Sequence, residues 1–164
     1  MEIDENALRK FLIIAKKNTY ATGNKNTSPE RKDFDELEYK AGDFYYRDSY
    51  YGFFHAPGQE IVRYKDEPVW NMSYNGGMRK GFEDVVFAKE TYTFLKKVLG
   101  MVEEKNPYRG PAKVEDGDFL YTNEIEGNIE EFKGIEKIFF KGKEVFRQDY
   151  VGGLVMNKEE HCLK

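Results

Sequence analysis

The chain has 164 residues, of which 40% are hydrophobic, 34% charged and 16% aromatic, and its formal net charge is -4. That length suits one domain with a core of a few large side chains, and the single Cys162 excludes an internal disulfide. The 26 basic and 30 acidic residues are well mixed, apolar runs are short and the N-terminus is acidic, so we expect a cytoplasmic protein without direct nucleic-acid or membrane binding.

The first predicted element is a helix over residues 4–16, with Asp4 as its N-cap. Its apolar residues share one face at helical spacing: Leu8, Phe11, Leu12 and Ala15. The polar stretch 18–36 follows and contains almost no large apolar residue. Stretches of that length inside a compact domain are mobile or functional, as in a lid, and we favour mobility here.

Four short antiparallel strands are predicted next, over 38–47, 50–56, 59–65 and 68–75. Turn signals separate them at Asp48-Ser49, Pro57-Gly58 and Asp66-Glu67-Pro68.

A second helix is predicted over 82–104, and it ends before Asn106-Pro107. Its helically spaced apolar residues are Val85, Ala88, Tyr92, Leu95, Leu99 and Val102. The most definite hairpin follows, with strands at 135–140 and 144–150 around Lys141-Gly142-Lys143.

The chain also contains an internal repeat. Residues 42–77 align with a later segment at a shift of 75, which one inserted residue near Lys133 changes to 76, and 12 of the 36 positions are identical. Ordinary residue usage gives roughly two or three such identities by chance. The glycines carry much of the match: Gly42, Gly52, Gly58 and Gly76-Gly77 fall on Gly117, Gly127, Gly134 and Gly152-Gly153.

We therefore expect an α+β fold made by internal duplication of one helix plus a four-stranded antiparallel meander. The repeats cover about 4–78 and 82–155 of a single domain, 1–164. Such a helix wrapped by a meander resembles the cystatin-like arrangement. The two halves either share one continuous sheet or pack face to face.

Alternation along the strands sorts the side chains into two faces. One set is predicted to form the core against the helices: Phe44, Tyr46, Val62, Tyr64, Trp70 and Tyr74, with Phe119, Tyr121, Ile138, Phe140, Phe146 and Tyr150 in the second copy. The opposite face holds Val69 and Val145 among others, and differs between the copies.

Specialised binding is expected where the two copies disagree, because shared positions most simply maintain the common fold. The candidate binding residues are Tyr50, Tyr51, His55, Arg63, Asn71 and Arg147. Tyr and Arg are enriched at binding hot spots. Exposed aromatic residues also suit a contact with the partner half or a homodimer.

Common catalytic and metal motifs are missing or weak. Two histidines and one cysteine give no zinc pattern, and Ser49 near His55 has no nucleophile elbow. The glycines of 76–81 open a helix but lack P-loop spacing. Glu60 and Glu136 are equivalent across the repeat, so they are interpreted as turn or strand-end residues and not as an acid/base pair.

Several short stretches resemble an uncharacterised prokaryotic domain family, some members of which follow a helix-turn-helix module. The stretches are Gly42-Asp43-Phe44, Asp48-Ser49-Tyr50, Gly58-Gln59-Glu60 and, most specifically, 68–77. The likeness covers roughly residues 8–155. It implies no catalytic residues, and the absence of a DNA-binding module here argues against a direct regulatory role.

The leading hypothesis is a non-enzymatic module that binds a small molecule or a protein partner, with no cofactor and no metal. The alternative is a small-molecule hydrolase or isomerase-like enzyme that uses His55 and a carboxylate in an aromatic pocket. Pocket geometry separates them, because a deep pocket with a buried His55 favours the enzyme and a shallow aromatic surface favours the module.

Overall fold

The protein is described by a computed structural model that covers residues 3–22 and 29–156. The helices are α1 (Glu5–Asn18) and α2 (Val85–Leu99), with a short 3₁₀ turn at Tyr20–Thr22. The strands are β1 (Asp35–Ala41), β2 (Phe44–Tyr50), β3 (Gly58–Tyr64), β4 (Glu67–Met78), β5 (Lys113–Asp116), β6 (Phe119–Gly127), β7 (Glu131–Phe140) and β8 (Lys143–Leu154).

All eight strands form one antiparallel sheet in the order β1-β2-β3-β4-β8-β7-β6-β5. The two long strands β4 and β8 pair at its centre, where Tyr74 lies opposite Tyr150. The α+β class is confirmed, but the description as four-stranded meanders is corrected. The strand count is eight in one sheet. Because β4 pairs with β8 along nine residues, the two halves share one continuous sheet, which is one of the two arrangements left open above.

Both helices pack on the same face of the sheet, each over its own hydrophobic cluster. Helix α1 turns Leu8, Phe11, Leu12 and Ala15 towards Trp70 and its neighbours. Helix α2 contributes Ala88, Phe94, Leu95, Val98 and Leu99 to a second cluster that contains Ile138 and Phe146. No helix in the described ranges is long and apolar enough to cross a membrane.

Two β-bulges alter the predicted division of faces. At the first, Val62 pairs with Trp70 and Arg63 pairs with Pro68, so Val69 is an extra residue. At the second, Ile138 pairs with Phe146 and Phe139 pairs with Glu144, so Val145 is the extra residue. Both valines are buried, which corrects their placement on the open face, because a bulge disturbs the simple alternation of side chains.

Two of the four strands predicted in the first half of the sheet, 38–47 and 50–56, have the wrong bounds, whereas 59–65 and 68–75 lie close to β3 and β4. The stretch 38–47 contains a turn at Gly42, whose φ of 58° favours glycine, so it divides into parts of β1 and β2. The stretch 50–56 lies mainly in the loop after β2, where only His55 forms an isolated bridge, with Gly77. Asp48-Ser49 is therefore part of β2 and not a turn.

The second helix is shorter than the predicted 82–104, because Asp84 caps its N-terminus through a hydrogen bond from the Phe87 amide. Val85, one of the helically spaced apolar residues, then lies in the first turn and is exposed. The glycines Gly76-Gly77 belong to β4 and do not open this helix.

The described end of the stretch 18–36 is held by contacts, so the predicted mobility does not apply to the residues next to β1. The Glu30 amide donates to the buried Glu36 carboxylate, and the Phe34 ring lies 5.0 Å from the Tyr51 ring. Residues 23–28, within the proposed mobile loop or lid, lie outside the described residues.

Candidate functional site

A pocket of about 250 Å³ lies between helices α1 and α2 and the helix-facing side of β2, β3, β4 and β8. Its floor is polar and buried, and consists of Lys16, Asp48, Glu60, Arg109 and Gln148. Its walls are mainly aromatic: Tyr46, Tyr50, Tyr74, Tyr92 and Phe146. Concave sites with apolar walls and a few convergent polar groups are typical of small-molecule binding.

Two carboxyl groups reach this floor because of strand register. Asp48 and Glu60 are cross-strand partners on β2 and β3, and they share the helix-facing side with Tyr46 and Val62, two residues away on the same strands. Asp48 is 3% and Glu60 2% exposed. Both are therefore buried, and a buried carboxylate needs compensating partners.

A chain of ion pairs supplies those partners and links the two halves of the sheet. Lys16, at the end of α1, donates to Glu60 Oε2. Arg109 lies 3.8 Å from Glu60 Oε1 through Nη1, and its Nη2 donates to Glu136 Oε1 at 2.8 Å. The Tyr121 hydroxyl donates to the other Glu136 oxygen at 2.8 Å.

Burial disfavours the charged forms of Lys16 and Arg109, and the carboxylates that they contact favour those charged forms. Burial lowers the pKa of Lys16, although the Glu60 charge acts in the opposite direction. For Arg109 burial also disfavours the charge, but Glu136 and Glu60 together raise its pKa. Its guanidinium further lies 5.2 Å from the Tyr74 ring centre and 5.8 Å from that of Tyr150.

Asp48 is the least compensated member of the floor. The Tyr74 hydroxyl donates to its Oδ1 at 2.7 Å, whereas no side chain or amide of the described residues donates to its Oδ2. Burial, and then the nearby Glu60 charge, raise the pKa of Asp48 to about 7. This carboxyl therefore changes its charge near neutral pH, inside the pocket.

The position that corresponds to Asp48 in the second half is Asn123. Both the oxygen and the nitrogen of its side-chain amide form hydrogen bonds. Its Oδ1 accepts from the Tyr150 hydroxyl at 2.7 Å, and its Nδ2 donates to the Gly110 carbonyl at 2.8 Å. The segment containing Gly110 occupies the space there. In the first half the equivalent space beside Asp48 is the pocket.

The mouth of the pocket contains half-buried and exposed residues from three segments. Tyr20 and Asp35 lie on one side, Phe53 and Ala56 come from the β2–β3 loop, and Lys96 comes from α2. The Lys96 ammonium is 5.6 Å from the Tyr20 ring centre. A lysine and an aspartate at the rim leave the entrance without a large charge of either sign.

Three of the six predicted binding residues lie near this mouth. Tyr50 is half-buried and lines the pocket. Tyr51 is 49% exposed and does not line the pocket. His55 is also exposed and does not line the pocket, and its Nε2 is 2.7 Å from Asn75 Oδ1.

The other three lie on strand positions of the opposite face of the sheet. Arg63 donates to the Asp66 carbonyl at 2.9 Å, and Arg147 forms two hydrogen bonds with Asp149. Asn71 is half-buried on β4. The six residues are thus not brought together, and a binding role for the set stays a prediction.

Sequence reasoning missed the floor residues and misplaced the glutamates. Glu60 and Glu136 lie inside strands and are buried, so their interpretation as turn or strand-end residues is wrong. A signal was present, because both follow the core-facing alternation of the strands. Lys16 likewise falls beside Leu12 and Ala15 on the apolar face of α1.

The described residues contain no group of three or more histidine, cysteine, aspartate or glutamate side chains suited to holding a metal ion. His161 and Cys162 lie outside those residues.

Comparison with curated proteins and with solved structures gives no match. A family model described as "Domain of unknown function (DUF5680)" matches residues 48–155, which is more than half of the 164-residue chain. The matched region begins at Asp48 and includes the other ionic floor residues except Lys16. It agrees with the expected resemblance to an uncharacterised family, while the link to helix-turn-helix modules stays a prediction. The chain therefore belongs to the DUF5680 family of domains of unknown function.

Proposed function

We propose that this protein is a non-enzymatic module that binds a small molecule in the pocket between the helices and the sheet. The observation that carries the proposal is an open space of about 250 Å³ above a buried floor of charged side chains. Such a floor is a costly way to stabilise a fold, because well-packed apolar residues of similar volume often do as well or better than buried ion pairs.

The aromatic walls support the same proposal. They offer large, rigid faces of the kind found in ligand pockets, and the floor adds a few directed polar groups. The Tyr92 hydroxyl donates to the Phe53 carbonyl at 2.5 Å, so α2 holds one side of the mouth in place. A preorganised pocket loses little free energy to ordering when it binds.

The proposal is tested by blocking the mouth. Ala56 is a small half-buried rim residue, so Ala56→Trp places an indole in the entrance. Gln59→Trp, at an exposed position outside the pocket, is the matched control. Small aromatic compounds are screened by saturation-transfer NMR against both variants and the unmodified chain. We expect compounds that bind the chain and Gln59→Trp but not Ala56→Trp; equal binding to all three would contradict the proposal.

An acid/base enzyme is the second candidate, and it would use Asp48 in place of His55. His55 is exposed and outside the pocket, whereas Asp48 has a pKa of about 7 and faces the pocket. Groups that titrate near the operating pH are the most effective general acids and bases. Exchange of a carbon-bound hydrogen of a bound compound with deuterium from the solvent, lost in Asp48→Asn, would favour this candidate over the module.

We also propose that the two halves of the sheet descend from one duplicated helix-plus-meander unit. Equivalent backbone features support this origin. Gly42 and Gly117 have φ of 58° and 57°, Gly52 and Gly127 have 94° and 95°, and the bulges fall at Val69 and its counterpart. The proposal explains how two similar hydrogen-bonded sites arose, of which one is filled and the other is open.

A further inference from the structure

We propose that the pocket binds a small monocationic amine with an aromatic or apolar body, and that its ammonium group lies against Asp48. This inference rests on the proposed binding function and adds the chemical class of the ligand.

The first support is the balance of buried charge. Three carboxyl groups, those of Asp48, Glu60 and Glu136, belong to one buried cluster with two cations, Lys16 and Arg109, and all five side chains are at most 6% exposed. Fully ionised, the cluster has a net charge of -1. Buried charge without compensation is strongly unfavourable, so the cluster by itself favours retaining one proton, and a bound monocation would take the place of that proton.

The second support is a comparison inside the molecule. Asn123 accepts a hydrogen bond from Tyr150 in the same way that Asp48 accepts one from Tyr74, at 2.7 Å in both cases. A neutral amide therefore suffices to hold the tyrosine. The additional charge at Asp48 is not needed for that contact. Asp48 lines the open space, whereas Asn123 donates from its Nδ2 to the Gly110 carbonyl.

The third support is the aromatic lining. The Lys16 ammonium is 5.9 Å from the Tyr46 ring centre, and the Arg109 guanidinium is 5.2 Å from that of Tyr74. These ring faces thus already lie close to cations. A ligand ammonium beside Asp48 gains both charge-assisted hydrogen bonds and the attraction of the same kind of ring face.

Binding of an amine must then be linked to loss of a proton from Asp48. The charged and titratable groups that face this carboxyl come from every neighbouring element: Lys16, Tyr20, Tyr46, Tyr50, Glu60, Tyr74 and Arg109. The tyrosines are neutral at pH 7, because the ordinary pKa of a tyrosine is about 10 and burial raises the pKa of each one further. Asp48 is therefore the group expected to release the proton.

The test uses three probes of similar shape and different charge: benzylamine, benzyl alcohol and benzoate. Isothermal titration calorimetry is run at pH 6, 7 and 8, in buffers of different ionisation enthalpy. We expect benzylamine to bind tightest, with release of about half a proton per ligand at pH 7 and about tenfold higher affinity at pH 8 than at pH 6. Asp48→Asn should weaken benzylamine at least about tenfold and abolish proton release, while benzyl alcohol changes little. Asp43→Asn, an exposed carboxylate in a turn, is the matched control.

The outcomes separate the two proposals. If benzyl alcohol or benzoate binds as tightly as benzylamine, and Ala56→Trp abolishes that binding, the amine inference is overturned and the pocket function stands. If benzylamine does not bind, or binds without proton release, the amine inference is also overturned. If probe binding persists unchanged in Ala56→Trp, the pocket itself is not the site and both proposals fail.

Discussion

Asp48 and Asn123 each accept a hydrogen bond from a tyrosine hydroxyl, but only Asp48 can ionise. We therefore expect the stability of the protein to depend on pH through Asp48. The pKa of Asp48 is about 7 in the folded protein, against about 4 for an aspartate in an unfolded chain. The folded state therefore holds this proton more tightly than the unfolded state does. The stabilisation that comes from protonated Asp48 is complete below about pH 4. It is lost as the pH rises towards 7, at up to about 1.4 kcal/mol per pH unit.

We expect Asp48→Asn to remove this dependence, so that the variant gains stability relative to the unmodified chain between pH 4 and pH 8. Urea unfolding at pH 4, 6 and 8 measures it, with Asp43→Asn as the control that should follow the unmodified chain. Parallel curves for Asp48→Asn and the unmodified chain would show that the buried carboxyl does not titrate in this range.

For Glu36 we expect the opposite pH dependence of stability, because its pKa is lowered and not raised. Burial alone would raise its pKa, but hydrogen bonds from the Glu30 amide, Arg47 and Ser49 lower it to about 2. The contribution of a depressed carboxyl is present above the unfolded pKa of about 4 and is lost as the pH falls through 2.

Glu36→Gln should therefore lower the free energy of unfolding at pH 7 by about 1 to 3 kcal/mol, and by much less at pH 2. Glu30→Gln is the control, because its side chain is 76% exposed although it also contacts Arg47, at 3.0 Å. An exposed ion pair of that kind contributes less than about 1 kcal/mol. Equal effects of the two substitutions at pH 7 would contradict the assignment.

At the scale of single elements, strand alternation separates core from surface. Trp70 on β4 is fully buried between α1 and the sheet, while Tyr51 is 49% exposed and Arg63 is half-buried on the other face. Trp70→Ala should cost about 3 to 5 kcal/mol of folding stability, and Tyr51→Ala or Arg63→Ala no more than about 1 kcal/mol. Denaturant unfolding compares the three, and equally large losses would place all three in the core.

The β2–β3 pair depends on a glycine for its contact with β4. A Cβ at Gly58 would lie 2.3 Å from the Tyr74 hydroxyl, so Gly58→Ala must displace the ring that holds Asp48. We expect a loss of about 1 to 3 kcal/mol. In a Tyr74→Ala background the same glycine substitution should cost little, because the obstructing ring is gone. An additive double-mutant cycle would rule out this contact as the cause.

At the scale of the whole molecule, Arg109 joins the two halves of the sheet. It follows α2 and contacts Glu60 on β3 and Glu136 on β7. Arg109→Met leaves these buried carboxylates without their shared cation, and losses of about 3 to 5 kcal/mol are typical for such a change. Thermal and urea unfolding measure it.

Two further variants control for this. Lys97→Met removes an exposed ion pair with Asp116 and should cost less than about 1 kcal/mol. Adding Glu136→Gln to Arg109→Met should recover part of the stability, because one unpaired charge is removed. A loss in Arg109→Met no larger than in Lys97→Met would show that the central ionic chain contributes nothing to holding the halves together.

The local pattern of apolar and turn residues was sufficient to predict several elements of the fold. The apolar face of α1, the hairpin at Lys141-Gly142 and the helix-facing rows that contain Trp70 and Phe146 all follow from periods of 3.6 and 2 and from turn chemistry. These features are fixed within a few neighbouring residues, so the sequence by itself determined them. The ends and faces of the strands were predicted less well, because the turn at Gly42 divides one predicted strand in two and the bulge at Val69 shifts the alternation of side chains by one residue.

The site was decided by tertiary structure. Lys16, Asp48, Glu60 and Arg109 lie on a helix, two strands and a loop, and no local pattern says that they meet. Pairing of β4 with β8 joins the two halves, and the loop after α2 places Arg109 between Glu60 and Glu136. Alternation assigns each side chain to a face, but which distant segments cover that face, and where they leave a space, depends on the packing of the whole chain.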